Sequence, residues 1–363
     1  VPGELRLAVV GVGRIGVFHA RHVQEIADER GDCALSAVVD AHEDTAERVA
    51  ARLQRSQDRP IRAFRHVEEA VDAGVVDAAV ISSRTEDHEA HTRSLVDAGC
   101  RVLLEKPLAG SLERASALAE HLARRPGGGR AVMQAFQRRF DEPLRLAKGL
   151  LDQGAVGRPF KIISVLEDPV PPPDGYQSPG LLADMSVHNV DEATWLIGEL
   201  PYRASAIGNR LYNVDVASVK EDFDDALLCQ WFPGGAAAQI LVSRNHVAGY
   251  RNETWIYGDR GVVHVGAFQE DPLRVDVEAI GRDGVVRQTF RMRDYGPGVP
   301  VFIERFGPAY RAGAAHFIDR VIRDEPFAVT HADGLVALRV VQAAARAVHT
   351  QEDATRVSGP PPT

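Results

Sequence analysis

Leu5-Arg6-Leu7-Ala8-Val9-Val10-Gly11-Val12-Gly13-Arg14-Ile15-Gly16 is the stretch on which the fold turns. Leu5 to Val10 alternates and then runs continuously apolar, as a central strand of a parallel sheet does. Gly11, Gly13 and Gly16 follow at once, and a helical stretch begins near Arg14. Strand, Gly-x-Gly-x-x-Gly and helix in that order fit a dinucleotide-binding turn. One glycine permits the bend, the next lets the backbone approach a pyrophosphate, and the third lets helix and strand pack closely. The amides that open the helix, with Arg14 and Ile15 beside them, then face the phosphates with partial positive charge.

Outward from that turn the rhythm repeats. Strands are predicted at 35–40, 78–81, 101–104 and 130–135, with helices at 43–53, 87–98 and 111–124 between them. Such alternation indicates a doubly wound parallel sheet with helices on both faces, class α/β. Beyond Gln137 the pattern changes. A helix at 142–151 and a strand at 160–166 precede a proline cluster at 169–173 and a helix from Leu181 to Ile197. Strand-like runs then succeed one another to about Arg291 before two closing helices, which reads as an α+β domain with a mostly antiparallel sheet. The predicted boundaries are residues 1–136 for the dinucleotide-binding domain and 137–363 for the substrate-binding and oligomerisation domain. The proline-rich end, Pro360 to Pro362, reads as a frayed tail.

At 363 residues the chain is long for one core, and its 45% hydrophobic and 26% charged content is ordinary for a globular protein. A formal charge of −9 argues against a nucleic-acid partner, which wants a basic face. Cys33, Cys100 and Cys229 show no metal-ligand spacing and read as small buried thiols in a reducing compartment. No apolar run approaches the roughly 20 residues that span a bilayer. The first residues run straight into a strand, so a cytoplasmic protein with no membrane partner is expected.

Three further positions carry chemistry. Asp40 ends the second strand, where a carboxylate can accept from the adenosine ribose hydroxyls and repel the extra phosphate of NADP. An N-cap role for the next helix is the plain alternative. Glu105-Lys106-Pro107 follows an apolar strand, so Lys106 is directed into the cleft at the strands' carboxyl ends, unless it is an ordinary solvated lysine. Asp184 and His188 are four apart, one helical face, and an imidazole with a pKa of about 6.5 suits a general base. Asp184 would fix its tautomer, with Asp191 also within a turn. A satisfied core histidine and a metal ligand are the alternatives, and no third metal ligand stands at good spacing.

Gly11-x-Gly13-x-x-Gly16, Glu105-Lys106-Pro107, Gln137-Arg138-Arg139-Phe140-Asp141 and Asp184-x-x-x-His188 with Asp191, in this order and spacing, closely resemble the glucose–fructose oxidoreductase/inositol dehydrogenase (Gfo/Idh/MocA) family. The stretch from Glu167-Asp168-Pro169 to His188 looks most like its inositol dehydrogenase branch. The resemblance implies a Rossmann domain followed by an open-faced sheet that pairs subunits into a homodimer or homotetramer. It implies Lys106, Asp184 and His188 as the catalytic set, with Arg138, Asp168 and Tyr250 contacting substrate beside them. It further implies Ser82, Thr85, His88 and Glu105 on the nicotinamide side of the cofactor. The chain departs from the branch at Arg251, where an inositol dehydrogenase usually carries Asp after the tyrosine turn. Inositol, another cyclitol, an amino-cyclitol and a sugar ring therefore all stand as substrates. The function implied is hydride transfer between NAD, with NADP the alternative cofactor, and a secondary alcohol or ketone of such a ring. A glycosidase using transient oxidation by NAD and a nucleotide-sensing regulator without catalysis are the rival readings.

Overall fold

The predicted alternation of strands and helices resolves into two sheets. The structure, a computed structural model, describes residues 3–54, 60–125, 127–169, 180–210, 222–244, 246–268, 270–282 and 284–350. The prolines at 171–173 and 360–362 lie outside the described residues.

The first half runs β1 (Leu5–Val10), α1 (Gly16–Arg30), β2 (Cys33–Val39), α2 (Glu43–Gln54), β3 (Arg62–Phe64), α3 (Val67–Asp72) and β4 (Ala78–Ile81). It continues through α4 (His88–Asp97), β5 (Arg101–Leu104), α5 (Leu112–Ala123) and β6 (Val132–Gln134). Its six strands lie in the order β3-β2-β1-β4-β5-β6, every neighbouring pair parallel. Val9, Val38, Val80 and Leu103 are essentially inaccessible, because a parallel sheet is covered by helices on both faces. β3 and α3 escaped the sequence reading. Arg62-Ala63-Phe64 is a short edge strand with no apolar run to announce it.

The second half begins with α6 (Glu142–Asp152) and β7 (Pro159–Glu167). A π-helical turn, Leu182–Ser186, leads into α7 (Val187–Ile197). Then come β8 (Arg203–Asn209), β9 (Asp225–Trp231), β10 (Ala237–Ser243), β11 (Arg251–Gly258), β12 (Gly261–Phe268), β13 (Asp271–Gly281) and β14 (Gly284–Arg291). The helices α8 (Val301–Arg323) and α9 (His331–Thr350) follow. The eight strands lie in the order β14-β13-β12-β11-β7-β10-β9-β8, antiparallel except for the central β7/β10 pair. One face, with Ile162, Leu228, Ile240, Ile256 and Val277, is buried under helices. The alternating residues Ile163, Leu227, Glu253, Trp255 and Glu278 stand on the open face.

α8 packs on α1, and α9 packs on both α5 and β8, so the last helices return to the first half. One hydrophobic core accordingly runs from Leu7 and Val38 through Met185 and Val190 to Phe317 and Val341. This continuity fixes the cleft between the carboxyl edge of the parallel sheet and the helix after β7. Among the described residues no helix is long and apolar enough to cross a membrane.

Candidate active site

The glycine turn is built as its spacing requires. Gly11 has φ +80°, and a Cβ there would lie 2.5 Å from the Ser83 backbone. A Cβ at Gly16 would collide with the Gly11 carbonyl, so helix and strand close to a distance only hydrogen permits. At Gly13 a Cβ would meet no protein atom within 4 Å. α1 starts with no side-chain cap hydrogen bond, and its Val17 and Phe18 amides donate to the Gly13 and Ile15 carbonyls at 3.2 and 3.0 Å. Open space at Gly13, at the positive end of a helix, fits the pyrophosphate of a dinucleotide. Arg14 is exposed on this turn with its guanidinium 4.9 Å from the Phe302 ring, while Ile15 packs on the apolar group around Phe306.

Asp40 accepts from the Val12 amide at 2.9 Å and from the His42 amide at 3.0 Å. It therefore ties the glycine turn to the start of α2. Each carboxylate oxygen keeps capacity for a ribose hydroxyl, so the capping and ribose readings coexist. Ser82 donates to the Gly11 carbonyl at 2.8 Å, buried behind the turn. Thr85, half-buried, opens the short turn before α4.

His88 is turned inward. Its ring is 1% exposed, with Nδ1 2.8 Å from the Pro107 carbonyl and Nε2 3.1 Å from the Ser83 carbonyl. Burial lowers its pKa, and its ring braces two loops instead of facing the cofactor cleft. Glu105 is likewise turned inward. His19 Nε2 donates to its Oε1 at 2.7 Å, and the Lys106 amide donates to Oε2 at 3.1 Å.

Lys106 stands on the cleft side. Its Nζ donates to Asp184 Oδ1 at 3.0 Å and to the Asp184 carbonyl at 2.9 Å, joining β5 to the turn before α7. Arg244, at the end of β10, reaches the other carboxylate oxygen of Asp184 at 3.3 Å and Asp222 at 2.8 Å. Asp222 in turn accepts from the Leu181 amide at 2.7 Å, which anchors the site helix at its start. Asp168, at the end of β7, has its carboxyl raised to about 6, by burial first and by Asp184 second. Arg14, Arg244 and Lys106 act in the opposite direction. Carboxylates and cations thus face one another in similar number across the cleft, a polar environment for an uncharged polyhydroxylated ligand.

His188 lies 8% exposed, and its pKa falls well below the ordinary value through burial, Lys106 and Arg138. The imidazole is neutral and able to accept a proton. Its Nδ1 is enclosed without a partner, leaving Nε2 as the nitrogen that can meet a ligand. The expected hydrogen bond from Asp184 is not formed. Residues 182–186 are π-helical, not α-helical, and the Ser186 hydroxyl donates to the Leu182 carbonyl at 2.6 Å. In a π-helical turn the four-residue spacing no longer stacks the two side chains. Asp184 serves Lys106 and Arg244 instead, while Asp191 forms a two-pronged pair with Arg139.

Arg138 is buried beneath the site. It is 2% exposed and donates to the buried Glu192 at 2.6 Å, with its other guanidinium nitrogens enclosed. Glu192 also accepts from Ser164 at 3.0 Å and from Thr254 at 2.5 Å, so this cluster supports the floor of the cleft. Tyr250, 3% exposed, adjoins the site. Burial and Asp168 raise its pKa, so the phenol stays protonated with Asn252 Nδ2 3.5 Å from its oxygen.

Arg244, Asp222, Glu192 and His19 were not foreseen. Arg244 reaches the site only because β10 lies parallel to β7 with Ser243 opposite Glu167, a register no local pattern reveals. Among the described residues no group of three His, Cys, Asp or Glu could hold a metal.

Comparison with known proteins bears on this arrangement. Residues 5–128 match a family model described as "Oxidoreductase family, NAD-binding Rossmann fold", and residues 144–264 match the GFO/IDH/MocA C-terminal domain. The chain is 30% identical to Myo-inositol dehydrogenase Hyg17 of Streptomyces leeuwenhoekii, over 94% of this chain and 97% of that one. It is 28% identical to Myo-inositol 2-dehydrogenase of Thermotoga maritima, over 95% and 96%. The crystal structure of apo scyllo-inositol dehydrogenase from Lactobacillus casei superposes with a TM-score of 0.79 at 25% identity, covering 96% of this chain and 97% of that one.

Proposed function

The chain belongs to the Gfo/Idh/MocA family of NAD-binding oxidoreductases, and from that premise we propose that it interconverts a secondary alcohol and a ketone on a cyclitol ring. The observation that carries the reading is the meeting of Lys106 with Asp184 beside a neutral, buried His188 at the mouth of the dinucleotide turn. When bound at Gly11–Gly16, NAD supplies the hydride acceptor for oxidation. Lys106 Nζ holds the reacting hydroxyl and stabilises negative charge on its oxygen. His188 Nε2 takes the hydroxyl proton, which its depressed pKa leaves it free to do at neutral pH. Asp184 keeps the lysine directed into the cleft, and Arg244 holds Asp184.

Asp168 and Tyr250 are assigned to the far side of the ring, and Gly13, Arg14, Ile15, Asp40 and Thr85 to the cofactor. Arg138, Ser82, Glu105 and His88 are assigned to support rather than contact. Asp40 favours NAD, and a cytoplasmic location belongs to the same reading. The half-exposed Ile163, Leu227 and Trp255 on the open sheet face suit a subunit contact, which sedimentation would detect as a dimer or tetramer.

The test is reduced-nicotinamide absorbance with NAD or NADP against inositols, amino-cyclitols, aldoses and glycosides. Turnover with NAD on a cyclitol is expected. NAD binding without turnover on any ring would overturn the reading and favour the sensor. Cofactor retained through gel filtration, with glycoside cleaved and no net reduction, would favour the glycosidase.

A further inference from the structure

Glu105 sits next to Lys106 in sequence yet is 5% exposed, and its carboxylate must be satisfied inside the protein. One oxygen accepts the Lys106 amide, and the other accepts from His19 Nε2 at 2.7 Å. His19 is itself 2% exposed and is pinned edge-on against Tyr310, with ring centroids 5.6 Å apart at 89°. A cavity of about 10 Å³ beside His19, Gln137 and Tyr310 has room for about one water. His19 also belongs to the first turn of α1, its amide donating to the Ile15 carbonyl at 3.2 Å. That turn is the one assigned above to the cofactor's pyrophosphate.

We propose that His19 is a positioning residue for Lys106. It acts through Glu105, and it ties the placement of the lysine to the phosphate-binding end of α1. The chain of contacts runs from Ile15 to His19, Glu105, the Lys106 amide, Lys106 Nζ and Asp184, which spans the cleft from the cofactor turn to the site helix. A buried histidine that only filled space would be replaceable by any side chain of similar size. This one is replaceable only by a group that donates where Nε2 does. The proposal rests on the hydride-transfer reading for its kinetic consequence, but the mechanical link is independent of it.

The experiment uses the full chain with His19→Leu, His19→Gln, Glu105→Gln and the double variant His19→Leu/Glu105→Gln. Gln places an N–H donor near the position of Nε2. In His19→Leu, kcat is expected to fall about 10–100-fold with KM for cyclitol and affinity for NAD within about threefold of wild type. His19→Gln should recover most of the loss. The double variant should be no worse than Glu105→Gln alone, since both changes break one linkage. Without cofactor or substrate, the Lys106 amide in His19→Leu should exchange with deuterium at least about tenfold faster, as its acceptor is released. Equal impairment of His19→Leu and His19→Gln, additive losses in the double variant, or an unchanged Lys106 amide would each overturn the proposal. Should wild-type protein turn over no cyclitol, the function assigned above fails, and amide exchange alone still decides whether His19 holds Lys106.

Discussion

On the dinucleotide wall of the cleft, polar side chains are occupied with backbone: Asp40 with the Val12 and His42 amides, Ser82 with the Gly11 carbonyl, His88 with the Ser83 and Pro107 carbonyls. On the substrate wall, Lys106, Asp184, Arg244 and Asp222 hold one another side chain to side chain, and His188 Nδ1 has no partner at all. The first wall presents backbone to its ligand and uses side chains to shape it. The second presents the side chains themselves and keeps one of them neutral and available. Substitutions should therefore act differently on the two walls.

The largest effect is expected on the substrate wall. Lys106→Met should lower kcat by about 10²–10⁴-fold with NAD affinity unchanged, measured by turnover and by quenching of protein fluorescence on NAD addition. A parallel loss of NAD affinity would blur the division between the walls. Next come two glycines that separate shape from ligand contact. Gly16→Ala drives a methyl into the Gly11 carbonyl and to 2.7 Å from Ser82 Oγ. It should cost roughly 1–3 kcal/mol of stability, read as a lower Tm, together with NAD affinity. Gly13→Ala meets no protein atom, so it should leave Tm alone and weaken NAD only. If both lower Tm equally, the turn is not preformed for its ligand.

Asp168→Asn should act in the opposite direction. Burial and Asp184 raise the Asp168 carboxyl to about 6, so the folded protein holds its proton more tightly than the unfolded chain. Such a group withdraws stability as pH rises from about 4 through about 6. Asp168→Asn should then stabilise by roughly 1–3 kcal/mol at pH 7 and by nothing below about pH 4, in urea titrations at each pH. The smallest effect is an absence. Because His188 is depressed well below its ordinary value, it should give kcat/KM for oxidation no acid limb above about pH 6. A limb near pH 6 belongs to Asp168 and should vanish in Asp168→Asn. One that persists would mean that His188 is not shielded as described.

The sequence revealed what local chemistry determines. Glycines at 11, 13 and 16 after an apolar strand announce a turn because each is needed within a few residues of chain, and Asp40 ends a recognisable strand. The nearness of Lys106 to Asp184 followed from their motifs. Their direct bond, and the arrival of Arg244, depend on where β5, β7 and β10 end in space. Spacing misled at Asp184 and His188 because it assumes an α-helix, and residues 182–186 form a π-helical turn. It could not tell that Arg138, His88 and Glu105 turn inward, since a motif says which residues sit in a loop and not which side of it is wet. Two edge elements, β3 and α3, are too short to carry a period.

The central strand of the second sheet has a history as well as a position. β7 pairs with β10 on one side and β11 on the other, both far downstream of it, with α7, β8 and β9 synthesised in the interval. Until the chain has passed Ser243, neither edge of β7 has its native neighbour, and the second edge waits for Gly258, so its apolar residues Ile162, Val165 and Leu166 have no complete sheet to join before then. Distant pairings of this kind are slow to close and expose strand edges to other chains meanwhile. The strand that leads into Asp168 is thus an early hazard on the ribosome and a late arrival in the folded molecule. The substrate wall can take shape only after the last strands that define it have emerged.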